Sequence, residues 1–172
     1  MNATEVIDRH FSDEYRAVTI SASALRSLYR TAAASRNRET GGILLGVYSD
    51  DLAQAVVLEA TPPPADSRST RYTFVRGTQG LRELLFARWH DEQRTYYLGE
   101  WHTHTAGEPR PSDQDRQALH GVARDPLYRC RTPLLLIAAP AVGGTWTLGG
   151  WLADGRGERV DIRSLSDGLR LG

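Results

Sequence analysis

GEWHTHTAGEPRPSDQD, residues 99–115, decides how the rest of the chain is read. It places His102 and His104 one residue apart, then Ser112 and Asp115 beyond a stretch broken by Pro109 and Pro111. The run before it, TYYL at residues 95–98, is rich in β-forming residues, so the two histidines end a strand. Alternate residues of a strand share a face at roughly 6–7 Å spacing, and from there two imidazoles lean onto one ion. Each ring nitrogen would then sit at about 2.0–2.1 Å from zinc. The prolines stop the strand, and Ser112-Asp113-Gln114-Asp115 reads as a helix start that returns Asp115, in its first turn, over the histidines. Two His and one carboxylate leave a tetrahedral position open for water, which separates a catalytic zinc site from a structural one.

Each half also has an ordinary reading. His-x-His arises by chance, and Ser112-x-x-Asp115 is close to a capping box with Ser112 as N-cap. The two readings coexist, because the helix dipole keeps a first-turn carboxylate in the ionised state that a metal ligand needs. The combination predicts a zinc site of His102, His104 and Asp115. His10, His90 and His120 have no such surroundings and read as solvated or hydrogen-bonded histidines.

Outward from this stretch the chain alternates short apolar runs with helical patterns. Residues 1–16 read as an irregular N-terminal arm, and 16–20, RAVTI, as a strand. Ser21 or Ser23 caps a helix over 24–35 that buries Leu25, Leu28 and Tyr29. Strands follow at 43–48 (ILLGVY) and 52–60 (LAQAVVLEA), then a proline-rich loop at 61–71 and a strand at 71–75 (RYTFV). Residues 78–92 read as an amphipathic helix with Leu81, Leu84, Leu85 and Trp89 on one face. After the metal strand come a helix over 113–123, an irregular basic connection at 124–132 and PLLLIAA at 133–139, a strand buried on both faces. Strands at 143–153 and 158–162 complete the pattern. Helices and strands mix without strict βαβ alternation, so the fold class is α/β (mixed α+β): a mixed central β-sheet flanked by helices. One domain is expected over 17–165, with a short tail at 166–172.

Composition narrows the function. The 172 residues carry a formal net charge of +0, which argues against a surface built for nucleic acid or a membrane. There is neither a basic start with an apolar region behind it nor a run long enough to span a bilayer, so a cytoplasmic protein is expected. Cys130 is the single cysteine and reads as a packed, inert thiol rather than a nucleophile paired with His120. All 21 basic residues are arginine and none is lysine. A GC-rich genome accounts for that most simply; avoidance of a modification aimed at lysine ε-amines would leave the same trace. The glycine pairs Gly41-Gly42 and Gly149-Gly150 do not match a phosphate loop.

Zinc lowers the pKa of water toward ~7 and polarises a carbonyl, but hydrolysis also needs a proton shuttle beside the metal. Two residues qualify. Glu100, two before His102, shares its strand face, and Glu39 stands at the mouth of the strand that begins at Gly41. Spacing alone does not choose between them.

His102-x-His104, seven residues, Ser112, two residues and Asp115, with Glu39 upstream in ETGGILLG, resembles the JAMM (MPN+) metalloproteases, the class that contains zinc-dependent deubiquitinases. The likeness runs over essentially the whole chain in element order and implies a single JAB/MPN-like domain. It makes His102, His104 and Asp115 the zinc ligands and Glu39 the general acid/base. Ser112 becomes the donor to the tetrahedral oxyanion, a contact typically worth about 3–4 kcal/mol. Glu100 becomes a neighbour of the site. The chain departs from the family at Thr105, where proline usually follows the second histidine; the ligands are intact and the change falls on the substrate-side rim.

The short form and the ETGG and GEWHTH wording are most similar to prokaryotic JAB-domain proteins. That group accompanies ubiquitin-like conjugation machinery and includes the deconjugating protease of CBASS antiphage operons. The resemblance implies cleavage after the C-terminal residue of a ubiquitin-like protein, or of a protein with such a tail, beside E1- and E2-like partners. Its rivals are a protease that processes a sulfur-carrier protein and a catalytically silent MPN scaffold, although silent forms lack the ligands this chain retains. A RadC-like protein would carry DNA-associated sequence that this neutral chain does not show.

Overall fold

Short apolar runs become strands of one curled sheet, and the amphipathic stretches become helices laid against it. The computed structural model describes residues 9–12, 16–51, 53–154 and 161–167. The elements in order are β1 (Arg9–Ser12), β2 (Ala17–Ile20), α1 (Ala22–Ala34), β3 (Gly41–Tyr48), β4 (Gln54–Ala60), β5 (Arg68–Ser69) and β6 (Phe74–Val75). They continue with α2 (Leu81–His90), β7 (Tyr96–Thr103), α3 (Asp113–Arg124), β8 (Leu134–Pro140), a 3-10 turn at Val142–Gly144, β9 (Trp146–Asp154) and β10 (Asp161–Asp167). The sheet closes on itself in the order β1-β10-β9-β8-β7-β3-β4-β2, while β5 and β6 pair only with each other. Pairs β2–β4 and β7–β8 are parallel and the remaining pairs antiparallel, so the sheet is mixed as expected.

One apolar cluster joins Val18, Ile20, Leu44, Val57, Leu98, Trp101, Leu134, Leu136 and Ala138 from five strands to Ala24, Leu25 and Leu28 of α1. A second joins Leu119 and Ala123 of α3 to Leu135, Ile137, Trp151 and Ala153. Alternate residues of β8 thus enter the two clusters, which is why its sequence is apolar throughout. Because α3 packs on β8 and β9, its N-terminus returns to the end of β7.

Several elements differ from the sequence reading. Residues 9–12 of the expected arm form β1, which pairs with β2 and β10 and closes the sheet. Of the strand expected at 158–162, residues 158–160 lie outside the described residues, and β10 runs past its expected end to Asp167. The strand expected at 71–75 shrinks to Phe74–Val75, and its partner Arg68–Ser69 comes from the expected loop. A turn intervenes, because Thr70 Oγ1 accepts the amides of Tyr72 and Thr73 and so offers the backbone an alternative to a strand ladder. Helix α2 has no buried residue; Leu81, Leu84 and Leu85 are half-buried and Trp89 is exposed, so its expected apolar face is only partly covered. Ser21 is the N-cap of α1, its hydroxyl accepting the Ala24 amide. No helix among the described residues is long and apolar enough to cross a membrane.

β7 carries the irregularity that matters most. Its pairing with β3 passes from Leu44↔Gly99 to Leu45↔Tyr97, which leaves Leu98 as a one-residue bulge. The bulge sends Leu98 and Trp101, three apart, into the same cluster and leaves Tyr97 and Glu100 in hydrogen-bond contact on the other side. Gly99, at φ 151°, makes this possible, because a Cβ there would lie 1.9 Å from the Leu134 carbonyl oxygen. Gly99→Ala should therefore destabilise the protein by about 2 kcal/mol or more, from strain and overpacking together. Urea unfolding of the variant beside the native chain measures this.

Candidate metal centre

The end of β7 is held from both sides. Thr103 N–H donates to the Thr40 carbonyl (2.8 Å) and His104 N–H to that of Ala138 (2.9 Å). The Thr40 amide donates in return to Thr103 Oγ1 (2.9 Å). These bonds fix the backbone that carries His102 and His104, whose side chains face away from buried Trp101 and Thr103.

Opposite them, α3 starts with the capping box that the sequence suggested. Ser112 is the N-cap, and its hydroxyl accepts the Asp115 amide at 3.2 Å. Asp115 Oδ2 accepts the Ser112 amide at 2.7 Å and the Ser112 hydroxyl at 2.6 Å. The cap therefore aims the Asp115 carboxylate at the histidines. His102 Nε2 lies 3.2 Å from His104 Nε2 and 3.3 Å from Asp115 Oδ1, and His104 Nε2 lies 3.5 Å from Asp115 Oδ2. Donors at about 2.05 Å around a tetrahedral ion stand roughly 3.3 Å apart, so this set fits zinc in spacing and in donor type. Among the described residues it is the one group of His, Cys, Asp or Glu gathered closely enough to hold a metal.

The local charges suit that use. Burial pushes the Asp115 carboxyl up, but hydrogen bonds and charge from His102 and His104, with the Ser112 hydroxyl, outweigh it and hold the group well below the usual carboxylate range. His104 is raised, first by its hydrogen bond with Asp115, against burial. Glu39 is only 8% exposed. Burial raises its carboxyl, with His104 and His102 pulling the other way, and a raised carboxyl is a better proton acceptor. Its backbone is held by the Thr70 carbonyl, which accepts its amide at 2.8 Å, and by the Ser69 hydroxyl, which donates to its carbonyl. Glu39, His102, His104, Ser112 and Asp115 all line one cavity of about 260 Å³, which Tyr72, Thr73 and Phe74 also line.

Glu100 shares the strand face of His102, as its spacing implied, but its carboxylate is engaged elsewhere. Oε1 accepts from Arg76 Nη2 at 2.8 Å and from the Tyr97 hydroxyl at 3.1 Å. It belongs to the wall of a larger cleft of about 480 Å³, which shares Phe74, His102, Gln114 and Asp115 with the metal cavity. Asp125 and Tyr128 of the 124–132 connection line this cleft together with residues 74–76. Tyr72, Thr73, Phe74 and Arg76 escaped the sequence reading; the ST-turn pattern of Thr70 and Thr73 was the available signal. Glu100→Ala leaves the half-buried Arg76 without its carboxylate and should cost about 1–3 kcal/mol of stability without changing the metal content of the protein. Chemical denaturation and metal analysis of the same sample separate the two effects.

The chain belongs to the Prok-JAB family, prokaryotic homologs of the JAB domain, whose model matches residues 21–149. That segment contains Glu39, His102, His104, Ser112 and Asp115. The chain is 40% identical over 131 residues, 76% of this chain and 72% of the relative, to a "CD-NTase/cGAS isopeptidase" of Enterobacter hormaechei subsp. hoffmannii. A protein of the same name from Pseudomonas aeruginosa is 40% identical over 79 residues, 45% of this chain and 49% of that one. A "probable metalloprotease y4qB" of Sinorhizobium fredii is 26% identical over 122 residues, 70% of this chain and 74% of that one. In fold, the chain is similar to the solution structure of protein DSY2949 from Desulfitobacterium hafniense, with TM-score 0.57 and 23% identity over 85% of this chain and 89% of that one.

Proposed function

We propose that this protein is a JAMM-type zinc isopeptidase that removes a ubiquitin-like modifier by cutting after the modifier's C-terminal residue. The observation that carries this is the three-donor cluster at 3.2–3.5 Å, with Glu39 lining the same cavity. The isopeptidase and metalloprotease names of the relatives support the reaction class. The proposed substrate is a ubiquitin-like protein, or a protein carrying such a tail, conjugated by E1- and E2-like partners in an antiphage system of the cytoplasm.

His102, His104 and Asp115 would hold the zinc, which when bound supplies a Lewis acid that activates water and polarises the scissile carbonyl. Glu39 takes a proton from the attacking water onto its carboxylate and returns it to the leaving amine; burial favours its holding that proton between the two transfers. Ser112 fixes Asp115 through the cap, and its hydroxyl, which lines the same cavity, turns to donate to the oxyanion of the tetrahedral intermediate.

Purified protein should contain zinc close to equimolar with chain by metal analysis, and His104→Ala and Asp115→Ala should lose most of it. Glu39→Gln should keep the zinc and lose cleavage of a modifier–peptide fusion, since it removes the shuttle and no ligand. Full zinc retention in both ligand variants, or native turnover in Glu39→Gln, would sink the assignment.

We infer that the passage between Tyr72–Phe74 and the donors, within a cavity of about 260 Å³, is a narrow channel in which a tail runs extended with a small residue at the scissile position. Fusions with Gly or Ala there should be cut, and those with Leu or Phe should be cut at least about tenfold more slowly, because a side chain that cannot be seated loses transition-state binding. Equal turnover of the Phe fusion rules out the narrow channel.

A further inference from the structure

The β5–β6 hairpin stands outside the barrel, joined strand to strand only through Arg68↔Val75 and Ser69↔Phe74. A hairpin of this length is not stable alone, so its position depends on what ties it down. Its base is tied by Asp66, whose carboxylate accepts the Thr78 and Gln79 amides, and by Ser67, whose hydroxyl accepts the Gly77 amide. One strand is tied to the backbone of Glu39 through Thr70 O and the Ser69 hydroxyl. The turn has its own tie. Thr105 Oγ1 donates to the Arg71 carbonyl at 2.8 Å, which joins the turn to the residue after His104. Proline at this position has no hydroxyl and could not make that bond. Tyr72, next in the turn and 73% exposed, lines the metal cavity with Thr73 and Phe74.

We propose that the Thr105–Arg71 bond fixes the turn of the hairpin as the substrate-side wall of the metal cavity, so that Thr105 is a positioning residue for the substrate tail. This rests on the isopeptidase reading. Thr105 lines the same cavity, but its hydroxyl is committed to the Arg71 carbonyl, and through that bond it holds Tyr72–Phe74 beside the donors. Its loss acts first on Tyr72–Phe74 and so on substrate grip; Glu39 is bonded to the same hairpin through the Thr70 carbonyl and the Ser69 hydroxyl, and those bonds do not involve Thr105.

The test compares the native chain with Thr105→Val, which keeps the shape and removes the donor, and Thr105→Ser, which keeps the donor. Hydrogen exchange of the Tyr72 and Thr73 amides, which Thr70 Oγ1 protects, should quicken in Thr105→Val and stay native in Thr105→Ser. On a fusion with glycine at the scissile position, Thr105→Val should raise KM about fivefold, the weight of one side-chain hydrogen bond, with kcat within about twofold. Zinc content should not change, and Thr105→Ser should restore the native KM. Native exchange in Thr105→Val, a loss in kcat with KM unchanged, or a serine variant no better than the valine one overturns the proposal. If the native protein cleaves nothing, the isopeptidase reading fails, and the exchange rates alone uphold or overturn the tie.

Discussion

Thr40 and Thr103 bind each other twice, once through the Thr103 amide and the Thr40 carbonyl and once through the Thr40 amide and Thr103 Oγ1. This double bond extends the β3–β7 ladder one step past Gly41↔His102, and the site depends on it. Glu39 and His104 are the residues just beyond the pair, one on each chain, so the proposed base and a proposed ligand are carried forward side by side. The ladder runs this close because Gly41 has no side chain: a Cβ there would lie 2.2 Å from the Trp101 carbonyl oxygen and 2.9 Å from His102 Cβ. Trp101, 1% exposed, anchors the same strand in the main core, where its indole N–H donates to the Thr61 carbonyl.

The third donor arrives by a different route. Asp115, Leu119, Val122 and Ala123 follow the i, i+4, i+7, i+8 spacing of a single helical stripe, and the last three are buried. Asp115 is thus the first position of the face that packs on β8 and β9, placed by apolar contact rather than by the charges it meets. Ser112 adds the rotation of the carboxylate through the capping box. The segment that matches the family model, residues 21–149, holds the three donors and the cap, while Trp151 and Ala153, against which α3 packs, lie just beyond it. β1 and β10 lie outside it and close the sheet on the far edge.

Electrostatics divide the neighbouring carboxylates by use. Glu100 meets Arg76 at 2.8 Å, an ion pair that ties the segment after β6 to β7. Asp115 is held ionised by the histidines, and Glu39, buried and with no guanidinium against it in the cavity lining, is left with its carboxyl raised. Three carboxylates on one side of a sheet thereby acquire three different properties from burial and partner alone.

Features that depend on local spacing can be read from the chain alone. His102-x-His104 on a strand and Ser112-x-x-Asp115 at a helix start fix their own geometry within a few residues, so the donor set was legible, as was the two-faced burial of PLLLIAA. Local patterning also placed α1, β3, β4 and α3 within a few residues of where they lie. The remaining features come from partners distant in the chain. Glu100 and Glu39 were indistinguishable by spacing, because the difference is Arg76, brought to Glu100 from twenty-four residues away. The closing strand β1 was hidden in a polar arm, since its pairing comes from β2 and β10 and leaves little periodicity of its own. The turn at residues 70–73 looked like a strand because RYTFV has the composition of one; threonine side chains took the backbone amides that a ladder would have used. Thr105 carried no signal beyond its departure from proline, and its role rests on a carbonyl thirty-four residues earlier, a contact that no local pattern encodes.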